Sequence, residues 1–415
     1  MRNLKPFLIA CALLPAACAG GGTASSSLPQ NAADSGVRSS AAARLLRGPD
    51  GDLHPAAVSA PACSASGYGS FLGGTTSADV AAGQDSAVVD GQGNQACDQV
   101  STIAGGYQNT ISSSDDQAGY SFIGAGANNV ITGPGGVSAI VSGGENSLTA
   151  EYAFIGGGQS NAISGTEPYA VITGGYANTA SAEWATVAGG NTNTASGNAA
   201  NVAGGAHNTA SGPHATVLGG SQNTASGAQS LAAGYNSNAA TAGSFVWSDD
   251  SGSTGLTSTV ANQFLLRASG GFTLWTNAAG TVGATLAPGS GAWSSASDRN
   301  MKTDIVPLDD AEVLDRVGRL PVSRWSYISE HGVRHVGPMA QDFYAAFGVG
   351  EDDRHITSID EDGVALAAIK ALRTQNEDLR AELRAHQAAT DRKIAALTAA
   401  FRLLKDSVTQ RTIRR

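Results

Sequence analysis

Ser297 and Lys302 stand five residues apart in the run Ser-Asp-Arg-Asn-Met-Lys. A serine hydroxyl attacks a carbonyl only when a base takes its proton, and a lysine serves as that base only in its neutral form. Ser297 adjoins the Ala296 carbonyl, so its oxygen can reach that carbon through a five-membered ring. The acyl group would shift from nitrogen to oxygen, and water would then release a new N-terminus at Ser297. Asp298 is placed either to orient Lys302 or to fix the turn, and backbone N–H groups would have to hold the oxyanion. A Ser-x-x-x-x-Lys spacing arises often by chance. At so sharp a change of composition, a serine with a lysine five residues on suggests a processing point.

That change is one of charge. No Lys or Arg lies between Arg47 and Arg267, whereas 18 of the 24 fall between Arg299 and Arg415. The net charge is −10. A nucleic-acid partner needs basic side chains along the contact face, so the central region excludes that class. Gly contributes 54 of the 415 residues without a three-residue period, which leaves a repeat array or a flexible linker rather than collagen. No His, Asp or Glu spacing marks a metal, and no cofactor is expected.

The N-terminus has the form of a signal peptide over residues 1–19: Arg2 and Lys5, an apolar run from Phe7 to Leu14, then small residues. Ala17-Cys18-Ala19 fits a cleavage site, and Leu14-Pro15-Ala16-Ala17-Cys18 also fits a loose lipoprotein box with a lipid anchor on Cys18. The expectation is a secreted or cell-surface protein, touching membrane only through that anchor. Residues 20–62 read as a flexible linker. The mature chain keeps Cys63 and Cys97, which an oxidising compartment would join; two free thiols are the alternative.

Residues 63–100 begin a β region, and residues 101–243 repeat. Gly174, Gly189, Gly204 and Gly219 follow a 15-residue spacing closed by Gly234, and an asparagine stands four residues after each, from Asn178 to Asn238. Earlier units are looser. An apolar column two residues before each Gly runs Ile103, Ile123, Val141, Ile155, Ile172, Val187, Val202, Val217 and Ala232. A second column, two residues after the Asn, shrinks from Ile111, Ile131 and Ile163 to Ala180, Ala195, Ala210, Ala225 and Ala240. Two columns per unit, separated by Gly and Asn turns, predict two short strands per coil of a parallel β-solenoid. The fold class expected is mainly β, with stacked coils building a narrow core. The Asn-Thr-Ala-Ser-Gly units and Gly234-Tyr235-Asn236-Ser237 resemble the head repeats of trimeric autotransporter adhesins. That resemblance implies a three-chain β-roll head and adhesion to a host-cell or surface glycan or protein.

Residues 244–295 carry Phe245-Val246-Trp247, Phe264 to Arg267 and Phe272 to Trp275, and predict a small β-collar. Trp247, Trp275 and Trp293 offer either packing or a carbohydrate platform. Residues 297–363 mix helix and strand patterns. Leu308 to Leu320 reads as a helix with Val313, Leu314 and Val317 on one face, and Val322 to Ile328 alternates as a strand. Residues 364–415 predict a long coiled-coil helix. Leu372, Asn376, Leu379 and Leu383 form one seam and Ile394, Leu397, Phe401, Leu404 and Val408 another, with a stutter at His386 and Thr390.

Three ordered motifs resemble the endosialidase-type intramolecular chaperone domains of phage tail spikes and other trimeric fibres. They are the segment from Ser297 to Lys302, the run His335-Val336-Gly337-Pro338-Met339-Ala340-Gln341-Asp342-Phe343, and the lead into the last helix from Ile359 to Leu366. The resemblance implies a Ser297–Lys302 dyad, a cut at Ala296–Ser297 and a homotrimer. His335 would either support the site or make a structural hydrogen bond. Asn300-Met301 replace the family's commoner Arg-Leu, which bears on cleavage efficiency rather than on folding. An uncut trimerisation domain remains the alternative. A glycan hydrolase would have to draw on Asp115, Asp116, Glu145, Glu151, Glu167 and Glu183.

Overall fold

Coil after coil, the chain lays two short strands in register on those of the coil before. The computed structural model describes residues 45–47, 53–55, 63, 67–73, 78–113, 119–133, 136–165, 169–252 and 254–413. The expected signal peptide, Cys18 and most of the expected linker lie outside these residues. The chain divides into two compact units, residues 1–295 and 296–415.

The first unit is a parallel β-solenoid. One sheet has 13 strands, from Phe71–Leu72 to Phe264–Arg267; the other has 12, from Val80–Ala81 to Leu256–Thr257. Every pairing in both sheets is parallel, and each coil adds one strand to each. The core is the space between the sheets. Ile103, Ile123, Ile140, Ile155, Ile172, Val187, Val202 and Val217 fill it from one side, and Ile111, Ile131, Leu148, Ile163 and then the alanines from the other. Toward the C-terminal coils the second column is alanine throughout, and every one of these alanines is fully buried.

A buried ladder fixes the register. Asn94, Asn109, Asn129, Asn146, Asn161, Asn178, Asn193, Asn208 and Asn223 stack with their side chains fully inside. Each side-chain oxygen accepts the backbone N–H of the next rung, as Asn193 Oδ1 does from Asn208 at 3.0 Å. Each amide group donates to a carbonyl four residues earlier and to a glycine carbonyl of the next coil; for Asn193 these are Gly189 and Gly205, both at 2.9 Å. Asp79 starts the ladder by accepting from Asn94 N, and Ser237 ends it by donating to Asn223 Oδ1. The second glycine of each pair is obligatory. Gly205 has φ +92°, and a Cβ there would collide with the Gly220 carbonyl oxygen of the next coil.

Four details differ from the sequence expectation. Ile140, not Val141, joins the first column, because Ser142 replaces the first glycine of that coil and the true rung is Asn146. The coil after Asn223 is one residue shorter, so Ser237 and Ala239 take the places expected of Asn238 and Ala240. Asn238 Oδ1 is left buried without a partner, and Ala240 is exposed. The solenoid also begins before residue 101: Val88 and Ala96 are core residues of coils whose turn reads Gly91-Gln92-Gly93-Asn94. It continues through Arg267, taking strands expected of the collar.

What remains of the collar is an antiparallel sheet of β1 (Phe272–Trp275), β2 (Gly283–Leu286) and β3 (Trp293–Ser295). Its register sets Trp293 level with Leu286 and Phe272, whereas Trp275 lies opposite Gly283. Trp247 sits elsewhere, in the parallel stack opposite Ala233 and Leu266. The expected tryptophan platform is therefore spread over two sheets.

The second unit holds helix α1 (Asp310–Arg319), strands β4 (Ser323–Trp325) and β5 (His335–Gly337), α2 (Ala340–Phe347) and the long α3 (Ser358–Ile413). Asp309 caps α1 by accepting from Ala311 N and Glu312 N, and Pro321 stands just beyond its end. Val313 of α1 packs with Leu314 and Val317 against Val364, Ala367 and Ala368 of α3. Lys370 reaches Asp310 at 2.7 Å. Farther along α3 the apolar seam is bare: Leu372, Leu379, Leu383, Ile394, Leu397, Phe401, Leu404 and Val408 are all at least half exposed.

Candidate functional site

The site is built on one tight turn. Asp298 Oδ1 accepts from Asn300 N at 2.9 Å and from Asn300 Nδ2 at 3.1 Å, capping a single 3-10 turn over Arg299–Met301. Backbone bonds from Met301 N to Asp298 O and from Lys302 N to Arg299 O close it. The turn brings the chain back on itself, and Lys302 Nζ donates to Ser297 Oγ at 2.6 Å. Of the two tasks open to Asp298, it performs the second: it fixes the turn. Ala296, Ser297 and Lys302 all lie exposed on the chain.

His335 serves elsewhere. It stands on β5 opposite Trp325 of β4 and bonds Glu330 Oε2 through Nε2 at 2.9 Å. Its ring stacks on Trp325 at 4.7 Å and meets the edge of Tyr327 at 5.7 Å. Among the described residues it makes no hydrogen bond to Ser297 or Lys302; the contacts it does make lie within the hairpin.

Residues 297–349 match the family model for the chaperone of endosialidase. The endosialidase-chaperone match thus opens on Ser297 itself and takes in the capped turn, α1, the hairpin and α2. Self-cleavage is a property of that family in general, and a β-solenoid leading into such a domain is the make-up of a fibre or tail spike built as a trimer with its own chaperone. No curated protein matches the chain.

In the solenoid, Cys63 and Cys97 are joined by a disulfide with Cα atoms 5.9 Å apart. Asp115, Asp116 and Glu167 lie outside the described residues. Glu145 accepts from Ser160 at one corner of the coil, while Glu151 and Glu183 stand at the other. Among the described residues, no group of three or more His, Cys, Asp or Glu gathers as a metal site, and no helix is long and apolar enough to cross a membrane.

One constellation has no counterpart in the sequence reading. Tyr152, Tyr169 and Trp184 occupy the same corner of three successive coils and stack face to face, with centroids 5.5 and 6.3 Å apart and planes within 20°. All three are about half exposed. Their intervals of 17 and 15 residues differ because the coils differ in length, so no fixed period reveals them.

Proposed function

We propose that the chain is an exported homotrimeric fibre, adhesin-like, whose C-terminal chaperone domain assembles the trimer and then cuts itself away at Ala296–Ser297. The contact between Lys302 Nζ and Ser297 Oγ carries this reading, because it places base and nucleophile together beside the bond at issue. Neutral Lys302 takes the hydroxyl proton as Ser297 Oγ attacks the Ala296 carbonyl carbon. The proton passes to the amide nitrogen as the C–N bond breaks, leaving an ester and a free amine on Ser297. Water then hydrolyses the ester, giving an Ala296 carboxylate and restoring the Ser297 hydroxyl. An ammonium gives up its proton most readily where water is excluded. Both side chains are exposed on one chain, so covering by partner chains would make cleavage follow assembly.

Trimer formation is supported by the bare seam of α3 and by the outer face of the 13-stranded sheet, where Val89, Phe122, Val141, Phe154 and Leu218 stand exposed. Like-chain contact over both would bury them, and parallel β pairing is slow enough to benefit from a register-setting helix. Once the chaperone is gone, the fibre would persist by a high unfolding barrier rather than by reversible folding. Secretion, or a lipid anchor on Cys18, follows from the N-terminal sequence alone. The head would hold a surface glycan or protein.

The test uses purified protein refolded without extract. The wild type should yield a fragment that begins at Ser297, while Ser297→Ala and Lys302→Ala should stay whole and still form trimers. Cutting of Ser297→Ala at the same bond would refute the dyad. A whole wild-type trimer would favour the second reading, an uncut trimerisation domain.

A further inference from the structure

The stack of Tyr152, Tyr169 and Trp184 stops one rung short. Strand register and the bonds from Ala199 N to Glu183 O and from His214 N to Asn198 O place Ala199 directly after Trp184 in the column, and His214 after Ala199. All three share the same left-handed backbone conformation, with φ of 55°, 51° and 56°. The column therefore reads ring, methyl, ring. Successive rings of the column are 5.5 and 6.3 Å apart, so a ring seated over Ala199 would fall within the stacking range of 4.5–7 Å from Trp184, with His214 on the coil beyond. Trp184 is 51% exposed, and Tyr169 is its one ring neighbour among the described residues, so no ring covers its face toward Ala199. The notch also has a polar rim. Asn198 Nδ2 donates to Glu183 Oε2 at 3.2 Å, which leaves the other carboxylate oxygen and the amide oxygen without a protein partner among the described residues.

The geometry points to a binding site for one pyranose ring of a neutral glycan, held between Trp184 and His214 with Ala199 as its floor. A pyranose has two C–H faces to set against flat rings and hydroxyls around its edge. The free oxygens of Glu183 and Asn198 accept from those hydroxyls. An acidic sugar does not fit: no Lys or Arg lies between Arg47 and Arg267, and Glu183 would repel a carboxylate. The inference deepens the ligand-binding part of the proposed function and rests on it, but it is independent of cleavage.

The experiment titrates full-length protein with maltohexaose, cellohexaose and mannohexaose, and with oligosialic acid as the acidic probe, by calorimetry and tryptophan fluorescence. At least one neutral probe should bind, with oligosialic acid weaker by at least about tenfold, or about 1.4 kcal/mol. Trp184→Ala should weaken that binding by about tenfold or more through loss of the stacking face. Ala199→Tyr is the sharper variant. It fills the notch with a residue already accepted at Tyr169 in the same conformation, so it should abolish binding while melting temperature and trimer mass are kept. A folded Ala199→Tyr trimer that binds like the wild type would overturn the site while leaving a glycan-binding head intact. Absence of binding to every neutral probe, or preference for oligosialic acid, would also overturn the inference. Trimer mass and fragment pattern on the same samples report separately on assembly and cleavage.

Discussion

Replacing Asn193 with alanine should be among the costliest single changes in the solenoid. The side chain is fully buried, and three bonds depend on it: Oδ1 accepts from Asn208 N at 3.0 Å, and Nδ2 donates to the carbonyls of Gly189 and Gly205 at 2.9 Å each. Gly205 O keeps a backbone donor, Asn191 N, so the worst loss falls on Asn208 N, whose N–H is left buried without an acceptor. An orphaned buried donor costs about 1–3 kcal/mol and each further lost bond about 1 kcal/mol, which totals about 3–5 kcal/mol per chain. Serine should recover part of it, because Ser237 at the end of the ladder bonds the carbonyl four residues earlier by its hydroxyl alone. Aspartate should be no better than alanine, since a carboxylate would face two carbonyl oxygens. Urea unfolding of the three variants should rank serine above alanine and aspartate. Because a solenoid can open coil by coil, unfolding rates should be compared beside midpoints. A loss below about 1 kcal/mol for Asn193→Ala would refute the view that the ladder holds the register.

Other outcomes follow from the same structure. Gly205→Ala should destabilise the coil severely, by steric conflict with Gly220 rather than by propensity, and limited proteolysis should show new cuts near that coil. Cys97→Ser opens a loop of sequence separation 34, and should cost about 3–4 kcal/mol by chain entropy, read as a lower urea midpoint that reductant no longer changes. Leu397→Asn should weaken the trimer of the uncut Ser297→Ala protein, seen by sedimentation, because it sets an amide on the bare seam of α3. The Asp249 carboxyl is held well below its ordinary value, first by the Ser251 hydroxyl and then by Ser269. A depressed carboxyl stabilises above the unfolded value near 4 and loses that effect as pH falls toward the folded one. The melting temperature gap between wild type and Asp249→Asn should therefore be present at pH 7 and shrink below pH 4.

Much of the solenoid was legible because its physics is local. A turn that needs φ > 0 selects Gly, a ladder selects Asn, and a narrow core selects Ile, Val and Ala, each at a fixed offset. The slips at Ile140 and Ser237 arose where one signal was missing: Ser142 in place of a glycine, and a coil shortened by one residue. The early coils were obscure because Gly91-Gln92-Gly93 lacks the glycine pair. At the seam, the Ser297–Lys302 spacing was informative because one turn suffices to join them. His335 was not, since its partners Glu330, Trp325 and Tyr327 come from hairpin pairing. The aromatic column lay beyond sequence reading because ladder register, and no constant interval, decides which residues become neighbours.

The ladder tolerates unequal coils in a particular way. Successive rungs are separated by 15, 20, 17, 15 and 17 residues from Asn94 to Asn178, yet the stacking bonds hardly change. From Ile103 to Thr110, Ile123 to Val130 and Ile140 to Ser147, the passage through the Gly–Asn corner keeps one length. The surplus falls between Ile111 and Phe122, Ile131 and Ala139, and Ile163 and Val171, always at the opposite corner. As far as Asn223 one corner is thus a clasp of constant length and the other an insertion port; at the last rung, Ser237, it is the clasp that loses a residue. The solenoid can lengthen in steps of one coil, about 4.8 Å each, and because the surplus residues of its longer coils leave the rungs on either side bonded, its reach and its decoration can vary independently.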